Sequence, residues 1–175
     1  MFIKSMKTRP LKDSVKENIF NIIAHSKIIS VKLNNSKILD LYSGIGSFGF
    51  EAISRGAKKV TFIEKSKDAA NILRKNIDNL AIKNNIELFN SDIGYILDIE
   101  KVDKFDIFFL DPPFADKSFI EIIKLIKRKK IFKKKNLVII HREKKTNDDF
   151  KDFLNIFLTK TYGRSKILFA CFSAQ

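Results

Sequence analysis

Three times between Lys37 and Ile126, a short apolar run of strand type is followed by apolar residues spaced as on one face of a helix. Lys37-Ile38-Leu39-Asp40-Leu41-Tyr42 precedes a helix from Phe48 to Arg55, closed by Gly56. Lys59-Val60-Thr61-Phe62-Ile63-Glu64 precedes one with Ala69, Ile72, Leu73 and Ile77 on a common face. Phe105-Asp106-Ile107-Phe108-Phe109-Leu110 precedes a third, carrying Phe119, Ile122, Ile123 and Ile126. Such alternation constrains the fold strongly, because strands joined through helices run parallel and place those helices on the faces of one sheet. Ile86-Glu87-Leu88-Phe89 and Leu137-Val138-Ile139-Ile140 add two more strands. The run 105–110 is apolar on both faces and belongs at the centre.

The two ends of the chain complete this frame. Val15, Ile19, Ile22 and Ile23 repeat with helical spacing after a basic start, which predicts a leading helix. Ile156 to Thr161 and Lys166 to Phe172 flank Tyr162-Gly163-Arg164-Ser165 with no room for a helix, so they form an antiparallel hairpin. The expectation is an α/β fold: a seven-stranded, mostly parallel sheet with a C-terminal antiparallel hairpin and helices on both faces. At 175 residues the chain suits one domain spanning 1–175, with 1–35 a basic segment and leading helix packed on it.

Gly44, Gly46 and Gly49 lie between the first strand and its helix in the spacing G-x-G-x-x-G, where a backbone can approach a ligand without a Cβ in the way. Glu64 stands 20 residues beyond Gly44 at the end of the second strand, where a carboxylate can accept hydrogen bonds from ribose hydroxyls. That pairing indicates an adenosine-type ligand. Asp40 chooses between two of them. A carboxylate there suits a molecule carrying an ammonium and a sulfonium, as S-adenosylmethionine does, while the pyrophosphate of a dinucleotide meets repulsion. The competing readings are a helix cap for Asp40 and a solvated partner of Lys65 or Lys67 for Glu64.

Asp111-Pro112-Pro113-Phe114 follows the central strand and opens onto the C-terminal edge of the sheet, where open α/β folds hold ligands. An aryl amine is a poor nucleophile because its lone pair is delocalised into the ring. Asp111 and the proline-stiffened carbonyl of Pro112 can each accept one N–H, and Phe114 can stack on the base. The same acceptors stabilise the positive charge that develops as a methyl group arrives. The alternative is an ordinary loop, since Asp-Pro and Pro-Pro punctuate many turns.

With these residues in view, the chain resembles the RsmD-type methyltransferases, which make N2-methylguanine in small-subunit ribosomal RNA. Arg9-Pro10 with Asp13, Val15, Lys16 and Phe20-Asn21 looks like that family's leading helix. The stretch from Asp40 to Ala52, with Ser54-Arg55-Gly56-Ala57, is similar to its cofactor turn, and Asp111-Pro112-Pro113-Phe114 and Tyr162-Gly163 complete the pattern. Leu11 stands where the family usually has threonine, and Arg164 where an acidic residue is common. The resemblance implies a Rossmann-like class I methyltransferase fold. It implies that Asp40 and the Gly44–Gly46 turn hold the methionine end of S-adenosyl-L-methionine, Glu64 the ribose and Asp92 the adenine amino group. Tyr42, Lys65 and Ile93 complete the candidate cofactor set. Asp111, Pro112, Pro113 and Phe114 are the candidate catalytic residues, and ribosomal RNA or an assembling small-subunit particle is the partner.

Charge agrees with that partner. Thirty-four basic against 20 acidic residues give a net +14, which favours a polyanion by steering and counterion release. Drift toward AT-rich codons, visible in the joint abundance of Lys, Ile, Asn and Phe, produces the same excess. Arg9, Lys127, Arg128, Lys129 and Arg164 are the candidate RNA contacts, although the lysine-rich patch between Lys124 and Lys135 also reads as a solvated helix end and loop. No apolar run approaches the roughly 20 residues that span a bilayer, so a cytoplasmic protein is expected. Cys171 is alone and reads as a core residue, and no metal-ligand cluster is visible. His25 and His141 have no acid partner in sequence and read as surface or packing residues. Oligomeric state is left open, a monomer being the simplest expectation. Three other functions stay open: an adenine-N6 amino methyltransferase on RNA or DNA, a catalytically silent RNA-binding relative, and a nicotinamide oxidoreductase supported only by the glycine spacing and Glu64.

Overall fold

A computed structural model describes residues 11–80, 83–99 and 103–173. The described elements are α1 (Asp13–His25), β1 (Lys37–Leu41), α2 (Ser47–Ser54), β2 (Lys59–Ile63), α3 (Lys67–Asn79), β3 (Ile86–Phe89), α4 (Ile93–Ile99), β4 (Phe105–Leu110), α5 (Phe119–Lys129), β5 (Phe132–Glu143), β6 (Asn155–Tyr162) and β7 (Ser165–Cys171). They form one seven-stranded sheet in the order β3-β2-β1-β4-β5-β7-β6. The first five strands are parallel, and β7 is antiparallel to both β5 and β6. This is the expected architecture, with the hairpin inserted so that β7, its second strand, is the interior one.

Alternation along the strands feeds two cores. Ile38, Val60, Phe62, Ile107 and Phe109 meet α1, α2 and α3 on one face, through Ile19, Phe20, Phe48, Ala52 and Leu73. Leu39, Leu41, Ile63, Phe108 and Leu110 meet α4 and α5 on the other, through Ile93, Leu97, Phe119, Ile123 and Ile126. The Phe48 ring stacks on Phe109 at 3.9 Å and on Phe20 at 4.9 Å, which ties α1 and α2 to the central strand. Burying a phenylalanine is worth roughly 1.5–3 kcal/mol, so this stack fixes where the glycine turn sits above the sheet.

Helix α2 ends as its sequence predicts. Gly56 takes a φ of +95°, Gly56 N–H donates to Ile53 O and Ala57 N–H donates to Ala52 O, the paired bonds of a Schellman stop. Helix α4 was not legible. It has seven residues, contains Gly94, and is held by Asp92, whose Oδ1 accepts the Gly94 and Tyr95 N–H groups. Strand β5 is longer than Leu137–Ile140, because Phe132 pairs with Phe105 before a register shift. Lys133 to Lys135 therefore lie in a strand, where a loop was expected. Lys133 reaches Asp106 at 2.8 Å, and the Asn136 side chain bonds both the N–H and the carbonyl of Phe172.

Candidate active site

Parallel strands put their C-terminal ends on one edge, so Asp40, Glu64, Asp92 and Asp111 converge there from β1, β2, β3 and β4. Strand order reverses between β1 and β4, the position at which such sheets open a crevice.

The glycine turn divides its labour. At Gly49 a Cβ would run into Phe62 and Val60, so this glycine lets α2 lie close against β2. At Gly46, with φ +87°, a Cβ would meet Leu73 and Phe50. At Gly44, with φ +55°, a Cβ would meet nothing within 4 Å, which leaves one face of the turn open to a ligand. Tyr42, just before the turn, also has a positive φ, +58°. Burial pushes its hydroxyl pKa upward, and the charge of Asp116 adds to the shift. Ser43 clasps the ends of β1 and β2, its hydroxyl donating toward Asp40 O and accepting from Ile63 N–H. Lys16 of α1 donates to Ser47 Oγ at 2.9 Å and so anchors the leading helix to the turn.

The carboxylates around this turn are held firmly. Asp40 is 1% exposed, and its Oδ2 accepts the Gly49 N–H at 3.0 Å, capping α2 from beneath as one sequence reading allowed. Burial pushes its carboxyl well above the ordinary range; the Gly49 bond opposes this, and the charges of Asp111 and Glu64 reinforce it. Glu64 accepts from Gly44 N–H at 2.8 Å and from Ser66 N–H at 2.7 Å, so it braces the turn, and it pairs with no lysine among the described residues. Lys65 pairs with Asp92 instead, at 3.2 Å. Burial works against the charged form of Asp92, but Lys65 and the N–H groups of Tyr95 and Gly94 outweigh it and hold the carboxyl below its ordinary range. Ile93 is buried in the core beside them.

Asp111 to Phe114 line a cavity of about 670 Å³ together with His141, Leu11, Lys12 and Val15 at the head of α1, and the hairpin turn Tyr162 to Ser165. Two residues of β5 hold the tetrapeptide. His141 Nδ1 lies 2.7 Å from Asp111 Oδ1. Arg142 donates to the carbonyls of Pro113 and Phe114 at 3.2 and 3.1 Å and pairs with Asp148 at 2.9 Å, with Phe119 under its guanidinium at 4.5 Å. Among the described residues none donates a hydrogen bond to the Pro112 carbonyl, and Pro112 itself is buried.

His141 is buried, as a packing residue would be, but it has the acid partner that the sequence did not show, and that partner stands just past the end of the neighbouring strand. Leu110 pairs with Ile140 across β4 and β5, and Asp111 and His141 are the residues that follow that last pair; this register was the missing signal. Cys171 is only partly buried. Arg164 and Lys12 are exposed at the cavity rim. Lys127, Arg128 and Lys129 occupy the last turn of α5, a helix that begins near Asp111 and runs back to the opposite edge of the sheet. Lys127 bonds Asp152 O there, and Lys129 bonds Leu97 O and pairs with Asp98. The structure does not bring that cluster to the cavity, and Arg9 lies outside the described residues.

No group of histidine, cysteine and carboxylate side chains suited to a metal ion occurs among the described residues, and no described helix is long and apolar enough to cross a membrane. The family model "Conserved hypothetical protein 95" matches residues 1–171. The ribosomal RNA small subunit methyltransferase D of Haemophilus influenzae is 37% identical over 138 residues, covering 78% of this chain and 68% of the relative. The protein of the same description from Buchnera aphidicola subsp. Baizongia pistaciae is 31% identical over 170 residues, covering 97% and 83%. Among solved structures, a conserved hypothetical protein of Streptococcus pyogenes superposes with a TM-score of 0.77 at 28% identity, covering 89% of this chain and 94% of that one.

Proposed function

The chain belongs to the conserved hypothetical protein 95 family, that of the small-subunit ribosomal RNA methyltransferases D, and from that premise we propose that it methylates the exocyclic N2 amine of a guanine in small-subunit ribosomal RNA. S-adenosyl-L-methionine is the methyl donor. The donor set suits it. Asp40, Glu64 and Asp111 stand close enough for their charges to act on one another, an environment that favours a sulfonium and an ammonium and disfavours a pyrophosphate. This argues against the nicotinamide reading. The open face at Gly44 gives the cofactor room, and when bound the cofactor supplies an electrophilic methyl group.

One observation supports the substrate reading: Asp111 and Pro112 both line a cavity sized for a base, and among the described residues neither Asp111 Oδ2 nor the Pro112 carbonyl has a hydrogen-bond partner. Two acceptors match the two N–H groups of an exocyclic amine. Taking both bonds turns the nitrogen lone pair out of conjugation and stabilises the charge that grows on nitrogen during transfer. Phe114 and Tyr162 offer flat faces to the ring, and Lys12 and Arg164 at the rim suit flanking phosphates. The base enters unpaired or flipped, since an amine inside a stacked helix is out of reach.

The test is transfer of labelled methyl from S-adenosylmethionine to small-subunit particles lacking the modification, followed by nucleoside analysis, with Asp111→Ala as control. Labelled N2-methylguanine that vanishes in the variant is expected. Methyladenine would replace the guanine assignment.

A further inference from the structure

We propose that His141 is the positioning residue of this site: its Nδ1–H bond to Asp111 Oδ1 fixes the rotation of the carboxylate so that Oδ2 alone meets the target amine. The inference rests on reading Asp111 as the acceptor of that amine. A carboxylate has no proton to give, so the 2.7 Å contact requires the hydrogen on Nδ1. Nε2 is buried and has no partner among the described residues. A bare lone pair there is tolerated more easily than an unmet cationic N–H, because burying an unpaired charge is the costlier of the two. The ring is therefore the neutral, Nδ1-protonated tautomer. Its side chain is 4% exposed, against 24% for Asp111, so the donor is fixed by packing while the acceptor faces the cavity. The Phe114 ring stands edge-on to the imidazole at 5.4 Å and limits its rotation.

A pinned carboxylate matters because the last torsion of an aspartate is broad and two-fold, and left alone it would present either oxygen at many angles. Methyl transfer depends on a narrow approach geometry, in which small misplacements cost large factors in rate. An imidazole achieves the pinning without cancelling charge. A lysine or arginine in its place would bring a full positive charge against the carboxylate that has to stabilise a developing cation. His141 need touch neither the amine nor the cofactor, since it acts through Asp111.

The test compares His141→Phe, His141→Asn and His141→Gln with the unaltered enzyme on small-subunit particles. An asparagine amide nitrogen sits about where Nδ1 does, while the glutamine amide is displaced along the side chain. His141→Phe and His141→Gln are expected to lower kcat by about ten- to a hundredfold, with KM for cofactor and particle unchanged. His141→Asn is expected to restore kcat to within a few-fold. Nitrogen NMR of the unaltered protein, which needs no variant to fold, should find Nδ1 protonated and Nε2 bare. Equal losses in His141→Phe and His141→Asn, full activity in His141→Phe, or an Nε2-protonated ring would each overturn the proposal. An Asp111→Ala enzyme that still methylates would instead overturn the reading of Asp111, whereas an inactive Asp111→Ala beside a fully active His141→Phe removes only the role of His141.

Discussion

Replacing Asp148 by alanine strands a charge inside the protein. The Arg142 and Asp148 side chains are 1% and 3% exposed and share two contacts, at 2.9 and 3.3 Å. Removing one partner of such a pair costs about 3–5 kcal/mol, because the guanidinium stays buried with its charge uncompensated. That is a large part of the roughly 5–15 kcal/mol that stabilises a typical domain. At about 2–4 °C per kcal/mol for a chain of this size, the melting temperature should fall by roughly 6–20 °C. Urea unfolding followed by circular dichroism gives the free energy directly. The loss should be the same at low and high salt, since a buried pair is barely screened. A double variant, Arg142→Met with Asp148→Leu, refills the space with apolar groups and should recover part of the stability. It should not recover turnover, because the Pro113 and Phe114 carbonyls lose the donor that holds them. A cost below about 1 kcal/mol, the size of an exposed pair, or a cost that shrinks with salt, would refute the argument.

Three further outcomes separate the parts of the site. Gly49→Ala should destabilise the protein by about 1–3 kcal/mol through overpacking against Phe62 and Val60, whereas Gly44→Ala should cost about 1 kcal/mol from its positive φ yet weaken S-adenosylmethionine binding more, as paired calorimetry and thermal melts would read. Asp40 has a raised folded pKa, so between its ordinary value near 3.8 and that raised value the folded state holds a proton that the unfolded state has lost. Stability therefore falls as pH rises through this window. Asp40→Asn should melt higher than the unaltered protein above it and match it below, and a difference constant with pH would contradict the assignment. Arg164→Ala should weaken RNA binding and reduce the slope of log affinity against log salt by about one. Lys129→Ala should leave that slope alone and lower the melting temperature slightly; a slope reduced by Lys129→Ala and unchanged by Arg164→Ala would place the RNA on the other edge of the sheet.

Much of this was legible from residues alone, for reasons of locality. Strand and helix periods, the Gly56 stop and the hairpin are set by neighbours in sequence, so Ile38 to Leu41 and Phe105 to Leu110 declare themselves. Asp40, Glu64, Asp92 and Asp111 were readable because each stands in the last residues of a strand or just past its end, and parallel strands share an edge. The partners of Asp111 and Phe114 were not readable. His141 and Arg142 lie about thirty residues away, and only the register of β4 against β5, carried past a bulge near Phe105, brings them together. Helix α4 stayed hidden because its seven residues hold too few turns to display a period. The lysines of β5 were hidden for a different reason, since a strand edged with charge looks like solvent-facing loop until Asp106 and Asn136 are placed beside it.

The cavity over Asp111 is walled by residues 11–15 on one side and 162–165 on the other. During synthesis at about 5–20 residues per second, the first wall waits roughly 8 to 30 seconds for the second. The glycine turn, Glu64 and the strands that carry them are made well before that. A nascent chain thus holds the residues of the glycine turn early and those that close the cavity late, since β6 and β7, which frame residues 162–165, are the last of the described strands to be made. Until the hairpin is made, the cavity over Asp111 lacks the wall that residues 162–165 supply.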